Sequence, residues 1–111
     1  MRKKLIKKLD TVFSIFIRKR DKKCVICGTK ERLTNGHLIT RSKYSVRWSV
    51  VNCHCQCIGC NMLHEYQPER FTLWFIKKFG ESVYTKLVLD SNKIRKFSNS
   101  DLETLIEQYD K

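Results

Sequence analysis

Two stretches of this chain decide its fold: CVICG at residues 24–28 and NCHCQCIGCNMLH at residues 52–64. Each stretch contains a Cys-x-x-Cys pair, a turn that brings two thiolates within reach of one metal ion. Two such pairs supply the tetrahedral set of four thiolates that structural Zn²⁺ prefers, so the spacing predicts one structural zinc. The predicted zinc ligands are Cys24, Cys27, Cys57 and Cys60.

The 29 residues between the two pairs are more than a simple zinc ribbon needs, and they leave room for a β-hairpin, as in treble-clef folds. A redox pair or incidental buried thiols would be the alternative, but neither explains both pairs. Cys53 and Cys55 would share a strand face with Cys57 if this segment is extended, so either could substitute as a ligand. We favour the two Cys-x-x-Cys pairs and treat Cys53 and Cys55 as spare.

The charge of the chain favours a polyanionic partner. The sequence has 111 residues, the length of one domain, and a formal net charge of +12. Residues 1–23 carry ten Lys or Arg against two acids, residues 24–64 five against one, and residues 65–111 eight against eight. Basic charge concentrated around the cysteines is typical of nucleic-acid contact, because each neutralised phosphate releases condensed counterions. The simpler alternative is a solvated basic face.

An amphipathic helix is predicted over residues 3–20, where apolar side chains recur at helical spacing. Its basic face is the predicted DNA contact, with the candidate residues Lys3, Lys4, Lys7, Lys8, Arg18 and Arg20. A membrane surface would also accept a basic helix, but packing of the domain leaves no bulky apolar face for it. The sequence shows neither an export signal nor a membrane-length apolar run, so we expect a cytoplasmic protein with reduced cysteines.

The remaining pattern predicts two short strands followed by helices. Asn35-Gly36 is predicted to form a turn, and residues 49–56 the second strand. Pro68-Glu69 opens a helix that ends at Gly80, and another helix covers residues 81–89. A capping box of Ser100 and Glu103 predicts the start of the last helix. The aromatic residues of the helix after Pro68 are interpreted as core, with a base-stacking platform as the alternative: Phe71, Trp74, Phe75 and Phe79.

All three histidines lie within 28 residues, between and just after the cysteine pairs: His37, His54 and His64. Here the sequence resembles the HNH nuclease superfamily. Its pattern runs from a Cys-x-x-Cys pair through a strand with the catalytic His and a loop Asn to a second pair that opens a metal-binding helix. Asn52 stands five residues before the second pair, the place of the loop Asn, and Asn61 directly follows that pair, as in the endonuclease VII group.

A closer resemblance is to the phage NinG/Rap recombination nucleases. It rests on FSIFIRKRDKKCVICG, NGH, and NCHCQCIGCNMLH followed by a helix ending in FG. The resemblance implies an α+β fold: a ββα-metal (HNH) core on a treble-clef four-cysteine zinc site, with an N-terminal helix and C-terminal helices. The single nuclease domain would comprise a basic helix (1–22), the zinc and ββα core (23–66) and a helical tail (67–111). A phage-encoded protein of this kind would act in the host cell cytoplasm.

The resemblance also implies a catalytic site. His37 would be the general base, and Asn52 would brace the loop that faces it. Asn61 and His64, on one face of a helix, would hold one catalytic Mg²⁺ or Mn²⁺. A helix cap is the alternative role for Asn61.

One residue departs from the superfamily pattern. Many members have a metal-ligating Asp directly before the base, whereas this chain has Gly36. Either a two-ligand site completed by water and substrate phosphate suffices, or His54, on the strand expected beside His37, supplies the third ligand.

The implied function is metal-dependent endonucleolytic cleavage of DNA that leaves a 5′-phosphate. NinG/Rap and endonuclease VII relatives act on branched recombination intermediates, so Holliday junctions and D-loops are the expected substrates. The first alternative is a non-catalytic zinc module that binds nucleic acid, which needs the cysteines and the basic face only. A zinc module for protein interaction is disfavoured by the lack of an acidic or broad apolar surface. The oligomeric state stays open, with a homodimer as one option.

Overall fold

A computed structural model describes residues 1–110 and has a mixed α+β fold with one two-stranded sheet. The elements in chain order are α1 (Arg2–Asp21), β1 (Leu33–His37), α2 (Tyr44–Arg47), β2 (Cys53–Cys57), α3 (Ile58–Tyr66), α4 (Glu69–Phe79), α5 (Glu81–Ser91) and α6 (Asn99–Tyr109). The predicted helices at residues 3–20, after Pro68 and after Gly80 are confirmed, with ends that shift by one or two residues.

Helix α1 forms because its apolar residues fall on one stripe, which includes the buried Leu9, Phe13 and Ile17. The helix ends at Lys22, whose left-handed backbone (φ 67°) lets its N–H bond the Arg18 carbonyl. The apolar stripe packs against α6 and one face of the sheet. The lysines of the first two turns remain exposed on the opposite side.

The two strands pair antiparallel, with Gly36 opposite His54 and His37 opposite Cys53. The predicted Asn35-Gly36 turn is wrong, because both residues lie inside β1. The chain reverses instead through residues 38–52, which include α2. Strand β2 also begins four residues later than predicted, since the Ser49 carbonyl accepts hydrogen bonds from the N–H groups of Asn52 and Cys53 in a turn.

The hairpin lies between two hydrophobic clusters, because successive side chains of β2 point to opposite faces. Cys53 and Cys55 join the cluster formed by α1 and α6, which we call the α1 cluster. On the other face lies the α4 cluster, whose buried members are Leu38, Val46, Phe71, Phe75 and Leu87. The interpretation of Phe71 and Phe75 as core is confirmed.

The start of α6 corrects a second prediction. The capping box is made by Ser98 and Asp101, two residues earlier than the predicted pair of Ser100 and Glu103. The Ser98 hydroxyl accepts from the Asp101 N–H at 3.0 Å, and the Asp101 carboxylate accepts from the Ser98 N–H at 2.9 Å. Both sequences satisfy the Ser-x-x-acid pattern, and the extended backbone of Ser98 decides between them.

None of the helices within residues 1–110 combines the length and the apolar character that crossing a membrane requires. Helix α1, with 20 residues, has the length, but half of its side chains are charged. Its apolar stripe is also already covered by α6 and the sheet.

Candidate functional site

The two Cys-x-x-Cys pairs come together in space as one cluster. The sulfur atoms of Cys24, Cys27, Cys57 and Cys60 all lie within 4.8 Å of one another. Cys27 Sγ and Cys57 Sγ are 3.7 Å apart, and Zn–S bonds of about 2.3 Å in a tetrahedron require about 3.8 Å between sulfurs. The second cysteine of each pair donates its backbone N–H toward the first sulfur, at 3.5 and 3.4 Å. The cluster therefore fits a structural zinc ion.

Cys53 and Cys55 lie apart from this cluster. Both are fully buried in the α1 cluster, on the face of β2 that meets α1. Burial raises the pKa of the Cys53 thiol to about 12 and that of Cys55 to about 11. Their sulfurs lie outside the four-sulfur cluster, so these two cysteines serve as small core residues.

A second site, the His37 cavity, opens beside the free edge of β1. Its volume is about 630 Å³. Three of the four predicted catalytic residues line it, together with four residues that were not predicted as site residues. The lining consists of Asn35, His37, Thr40, Arg41, Asn61, His64 and Glu65. His37 shares its strand face with Cys53, whereas Asn61 reaches Thr34 on the other face, so the cavity spans the strand edge.

The His37 ring is held in one orientation and one tautomer. Its Nε2 lies 2.9 Å from the Arg47 carbonyl, and because a carbonyl only accepts, Nε2 carries the proton. Nδ1 is thus left as the basic nitrogen. Burial lowers the pKa of His37 below its ordinary value of 6.5, against the opposing effect of the Arg47 hydrogen bond. The ring is therefore neutral and able to accept a proton at neutral pH.

The carbonyl that orients His37 is itself fixed by Asp10 of α1. The Asp10 carboxylate accepts from Arg47 Nη2 at 2.6 Å, from Arg47 Nε at 3.1 Å and from Trp48 Nε1 at 2.9 Å. Arg47 is buried and Asp10 is half-buried. This network ties α1 to the chain segment behind His37, a role that the sequence pattern did not signal.

Asp10→Ala should lower the free energy of unfolding by about 2–4 kcal/mol, because it leaves the buried Arg47 guanidinium without its partner. Chemical denaturation measures the change, and the matched control is Asp90→Ala, which removes an acid from two exposed ion pairs. The control should change stability little. Equal effects of the two substitutions would mean that the Asp10 network contributes no more to the free energy of unfolding than an exposed ion pair does.

The Asn52 side chain stabilises the segment that connects the two strands by hydrogen bonds to its backbone. The side chain is fully buried, and its Oδ1 accepts from the Ile39 N–H at 2.8 Å. Its Nδ2 donates to the carbonyls of Ile39 and Val46, at 2.9 and 3.1 Å. Asn52 therefore touches only the loop backbone and does not line the His37 cavity.

Asn61 and His64 stand on the face of α3 that packs over β1. Asn61 Nδ2 donates to Thr34 Oγ1 at 3.2 Å, which leaves its Oδ1 as an acceptor. Cys57 is the helix cap, so the alternative role of Asn61 as a cap is wrong. His64 Nε2 donates to the Leu38 carbonyl at 2.9 Å, and its Nδ1 is buried with no hydrogen-bond partner within residues 1–110. Both side chains therefore retain a free acceptor atom, as metal ligands require.

Glu65 is a cavity residue that the sequence reasoning missed. It lies four residues after Asn61 on the same helix face and brings the one carboxylate among the lining residues. Carboxylate and amide oxygens are the ligands that Mg²⁺ and Mn²⁺ prefer. The i, i+4 spacing from Asn61 was the available signal, but the motif ended at His64.

His54 is placed elsewhere, which corrects its assignment as a third metal ligand. Its Nε2 donates to the Val51 carbonyl at 2.8 Å, and its Nδ1 accepts from Arg20 at 3.2 Å. The ring is buried against aromatic side chains of the α4 cluster, and this burial lowers its pKa to about 4. Although His54 lies opposite Gly36 in register, it does not line the His37 cavity, and both of its ring nitrogens are hydrogen-bonded elsewhere.

Gly36 has a packing reason to lack a side chain. The buried Gln56 amide covers its Cα, so a Cβ there would overlap Gln56 Oε1 and lie 2.8 Å from Gln56 Cδ. An Asp at this position would meet the same obstacle. The Gln56 side chain thus fills the space that a metal-ligating Asp would occupy.

Gly36→Ala should destabilise the protein by about 1–3 kcal/mol, because the Gln56 amide must move out of a packed interior. Gly59→Ala is the matched control: it lies inside α3, where a Cβ would meet only Cys57 Sγ at 4.0 Å. The control should be neutral or stabilising by roughly 0.5–1 kcal/mol. Thermal and urea unfolding compare the two, and an unperturbed Gly36→Ala would show that Gln56 can yield at no cost.

The predicted DNA-contact residues divide into two groups. Lys3, Lys4, Lys7 and Lys8 are exposed along α1, and Arg18 is half-buried and hydrogen-bonded to Ser14. Arg20 corrects the prediction, because its guanidinium is committed to the protein itself. It pairs with Asp21 at 2.7 Å and donates to the carbonyls of Val50 and Cys53. Arg20 therefore fixes α1 to the start of β2 rather than facing a phosphate.

Comparison with known sequences supplies one match. The sequence model of the family described as "Bacteriophage Lambda NinG protein" matches residues 1–111. No curated protein and no solved structure matches the chain. The matched range includes both the cysteine cluster and the His37 cavity.

Proposed function

Because this chain belongs to the bacteriophage lambda NinG family, we propose that it is a metal-dependent DNA endonuclease of the HNH type. The observation that supports this most is the His37 cavity. In it, a histidine with a free, unprotonated Nδ1 shares one space with Asn61, His64 and Glu65, which present oxygen and nitrogen acceptors. A base beside a candidate metal site is the arrangement that hydrolysis of a phosphodiester requires.

In the proposed reaction, His37 Nδ1 takes a proton from a water molecule as the water oxygen attacks phosphorus. The bond from phosphorus to the 3′ oxygen then breaks, and the leaving oxygen takes a proton from solvent water, which leaves a 5′-phosphate and a 3′-hydroxyl. The Arg47 carbonyl keeps Nδ1 aimed by holding Nε2–H, and it stabilises the imidazolium that forms. Asn52 acts through the loop backbone and is a positioning residue rather than a catalytic one.

The candidate ligands for a divalent cation are Asn61, Glu65 and His64. A bound Mg²⁺ or Mn²⁺ would stabilise the negative charge that develops on the leaving oxygen. The donor set fits such an ion, since His64 Nδ1 is a buried acceptor with no donor and Glu65 adds a carboxylate. Glu65 would supply the third protein ligand, for which His54 was the candidate from the sequence.

We further propose that the substrate is DNA, with a preference for branched recombination intermediates such as Holliday junctions and D-loops. The exposed lysines of α1 and Arg41 at the cavity rim support a polyanionic substrate. Exposed lysine and arginine side chains that contact phosphates carry no base preference, which favours recognition of the backbone and its shape.

The test is a cleavage assay with Mg²⁺ or Mn²⁺ on linear, nicked, single-stranded and four-way DNA. We expect cleavage that EDTA abolishes, products with 5′-phosphates, and the fastest turnover on branched DNA. Cleavage of linear DNA alone would contradict the substrate preference. If well-folded, zinc-loaded protein bound all four substrates and cut none, the non-catalytic nucleic-acid-binding module would replace the nuclease.

A further inference from the structure

A basic groove lies beside the His37 cavity and uses residues that the sequence analysis did not identify. It has a volume of about 350 Å³ and is lined partly by the loop that joins α5 to α6, residues 92–96. Five of its lining side chains are cationic and none is acidic: Arg2, Lys43, Lys93, Arg95 and Lys96. The equal numbers of acids and bases in residues 65–111 hide this local surplus.

Consecutive residues of one chain segment line the His37 cavity and then the groove. Thr40 and Arg41 line the cavity, and the next two residues, Ser42 and Lys43, line the groove. Alternate Cα atoms lie at most about 7 Å apart, a distance comparable with that between neighbouring phosphates of one strand. Lys43 therefore lies at most about one phosphate spacing beyond Arg41 of the cavity lining, so a strand bound in the cavity can continue to it.

The groove is held in place before any ligand arrives. Phe97, next to the loop, packs edge-on against Trp48 with ring centroids 5.2 Å apart. Its carbonyl accepts a hydrogen bond from the Arg2 guanidinium, and the Arg95 guanidinium lies 4.6 Å from its ring centroid. The Arg95 guanidinium is therefore ordered in advance and loses less entropy on binding than a mobile side chain.

Not all of the five cations are equally available. Lys93 is paired with Asp90 at 3.2 Å, and Arg2 is hydrogen-bonded to the chain. Lys43, Arg95 and Lys96 form no ion pair within residues 1–110, and the Arg95 guanidinium lies over the Phe97 ring. These three side chains are exposed and can neutralise phosphates.

We propose that Lys43, Arg95 and Lys96 bind the phosphates of the DNA strand that flanks the scissile bond. This inference rests on the proposed function, because it is the continuity with the His37 cavity that identifies a nucleic-acid strand as the anion. The groove extends the cavity in one direction along the strand and contributes affinity without sequence preference.

The test measures DNA binding in a His37→Ala background, so that cleavage does not interfere. The groove variant is K43Q/R95Q/K96Q, and the matched control is K23Q/K30Q/K77Q, three exposed lysines that line neither the cavity nor the groove. Fluorescence anisotropy gives Kd over a series of salt concentrations. The slope of log K against log salt is negative, and its magnitude should decrease by about 2–3 in the groove variant, since each lost phosphate contact contributes about 0.9. The control should change the slope by less than about 0.9, the contribution of one phosphate contact.

A scan with neutral methylphosphonate linkages then locates the contact. Neutralising the linkages next to the scissile position should weaken DNA binding by the His37→Ala protein. It should leave DNA binding by the groove variant unaffected, because the two changes remove the same interaction. An unchanged salt slope, or an equal loss in the control, would overturn the proposal. Cleavage by wild type with an unchanged slope rejects the groove alone. A reduced slope without cleavage of any DNA rejects the nuclease and leaves the groove as a binding surface.

Discussion

Cys24→Ser and Cys60→Ser should each yield a protein that is largely unfolded and binds less than one zinc ion per chain. Zinc bound by four thiolates contributes about 10–16 kcal/mol, as much as the whole stability of a typical small domain. Cys24 lies in a turn whose neighbour Val25 donates its N–H to the Cys55 carbonyl, and Cys60 lies in the first turn of α3. Loss of zinc therefore detaches both the turn and the helix from the hairpin.

Metal analysis and far-ultraviolet circular dichroism, run on the same samples, check this result. Cys53→Ala is the matched control, because it removes a buried sulfur that lies outside the cluster. The control should lose some stability from the cavity it creates and keep one zinc per chain. Wild-type protein that is well folded and contains no zinc would refute the structural role of the cluster.

His37→Ala should reduce DNA cleavage by about a hundredfold to ten-thousandfold, the usual cost of losing a general base. Fold, zinc content and DNA affinity should stay close to those of wild type, since His37 is neither in the cysteine cluster nor a cation. Single-turnover cleavage of four-way DNA at saturating enzyme measures the chemical step. Cleavage at the wild-type rate would exclude His37 as the base.

The pH profile and two control variants separate loss of the base from loss of the metal. Because burial lowers the pKa of His37, wild-type rate should be flat above pH 6.5 and fall only below it, as Nδ1 becomes protonated. Asn61→Ala and His64→Ala should raise the Mg²⁺ or Mn²⁺ needed for half-maximal rate and be partly rescued by excess metal. Excess metal should not rescue His37→Ala. Rescue of all three variants alike would place His37 among the metal-binding residues instead.

Local patterns predicted the parts of the fold that depend on local chemistry. The helical spacing of Leu9, Val12 and Phe13 gave α1, and the two Cys-x-x-Cys pairs gave the cysteine cluster. The Asn35-Gly36 turn failed because the requirement for Gly36 is tertiary. It comes from Gln56, which lies 20 residues further along the chain. No local rule contains that contact.

The sequence identified most residues of the candidate site, but it did not predict the contacts that these residues make. His37, Asn61 and His64 do line one cavity, but the His54 ring is buried in the α4 cluster with both nitrogens hydrogen-bonded, which only the tertiary packing reveals. Arg20 looked like a phosphate ligand because charge was counted without its partners. Glu65 and Asp10 carry no motif, and their positions follow from the packing of α3 and α1.

The packing of α1 on α6 sets the order of events during folding. The rings of Phe13 and Phe16 in α1 each pack edge-on against Tyr109 of α6, with ring centroids 4.8 Å apart. More than ninety residues of sequence separate either Phe from Tyr109. On the ribosome, α1 therefore emerges with its apolar stripe uncovered and must wait for almost all of the remaining residues before α6 can cover it. Contacts this distant in sequence slow folding, because the loop between them closes at an entropic cost before the contact forms. The turns of the two Cys-x-x-Cys pairs and the hairpin involve shorter separations and can form earlier, so α1 joins a partly assembled core.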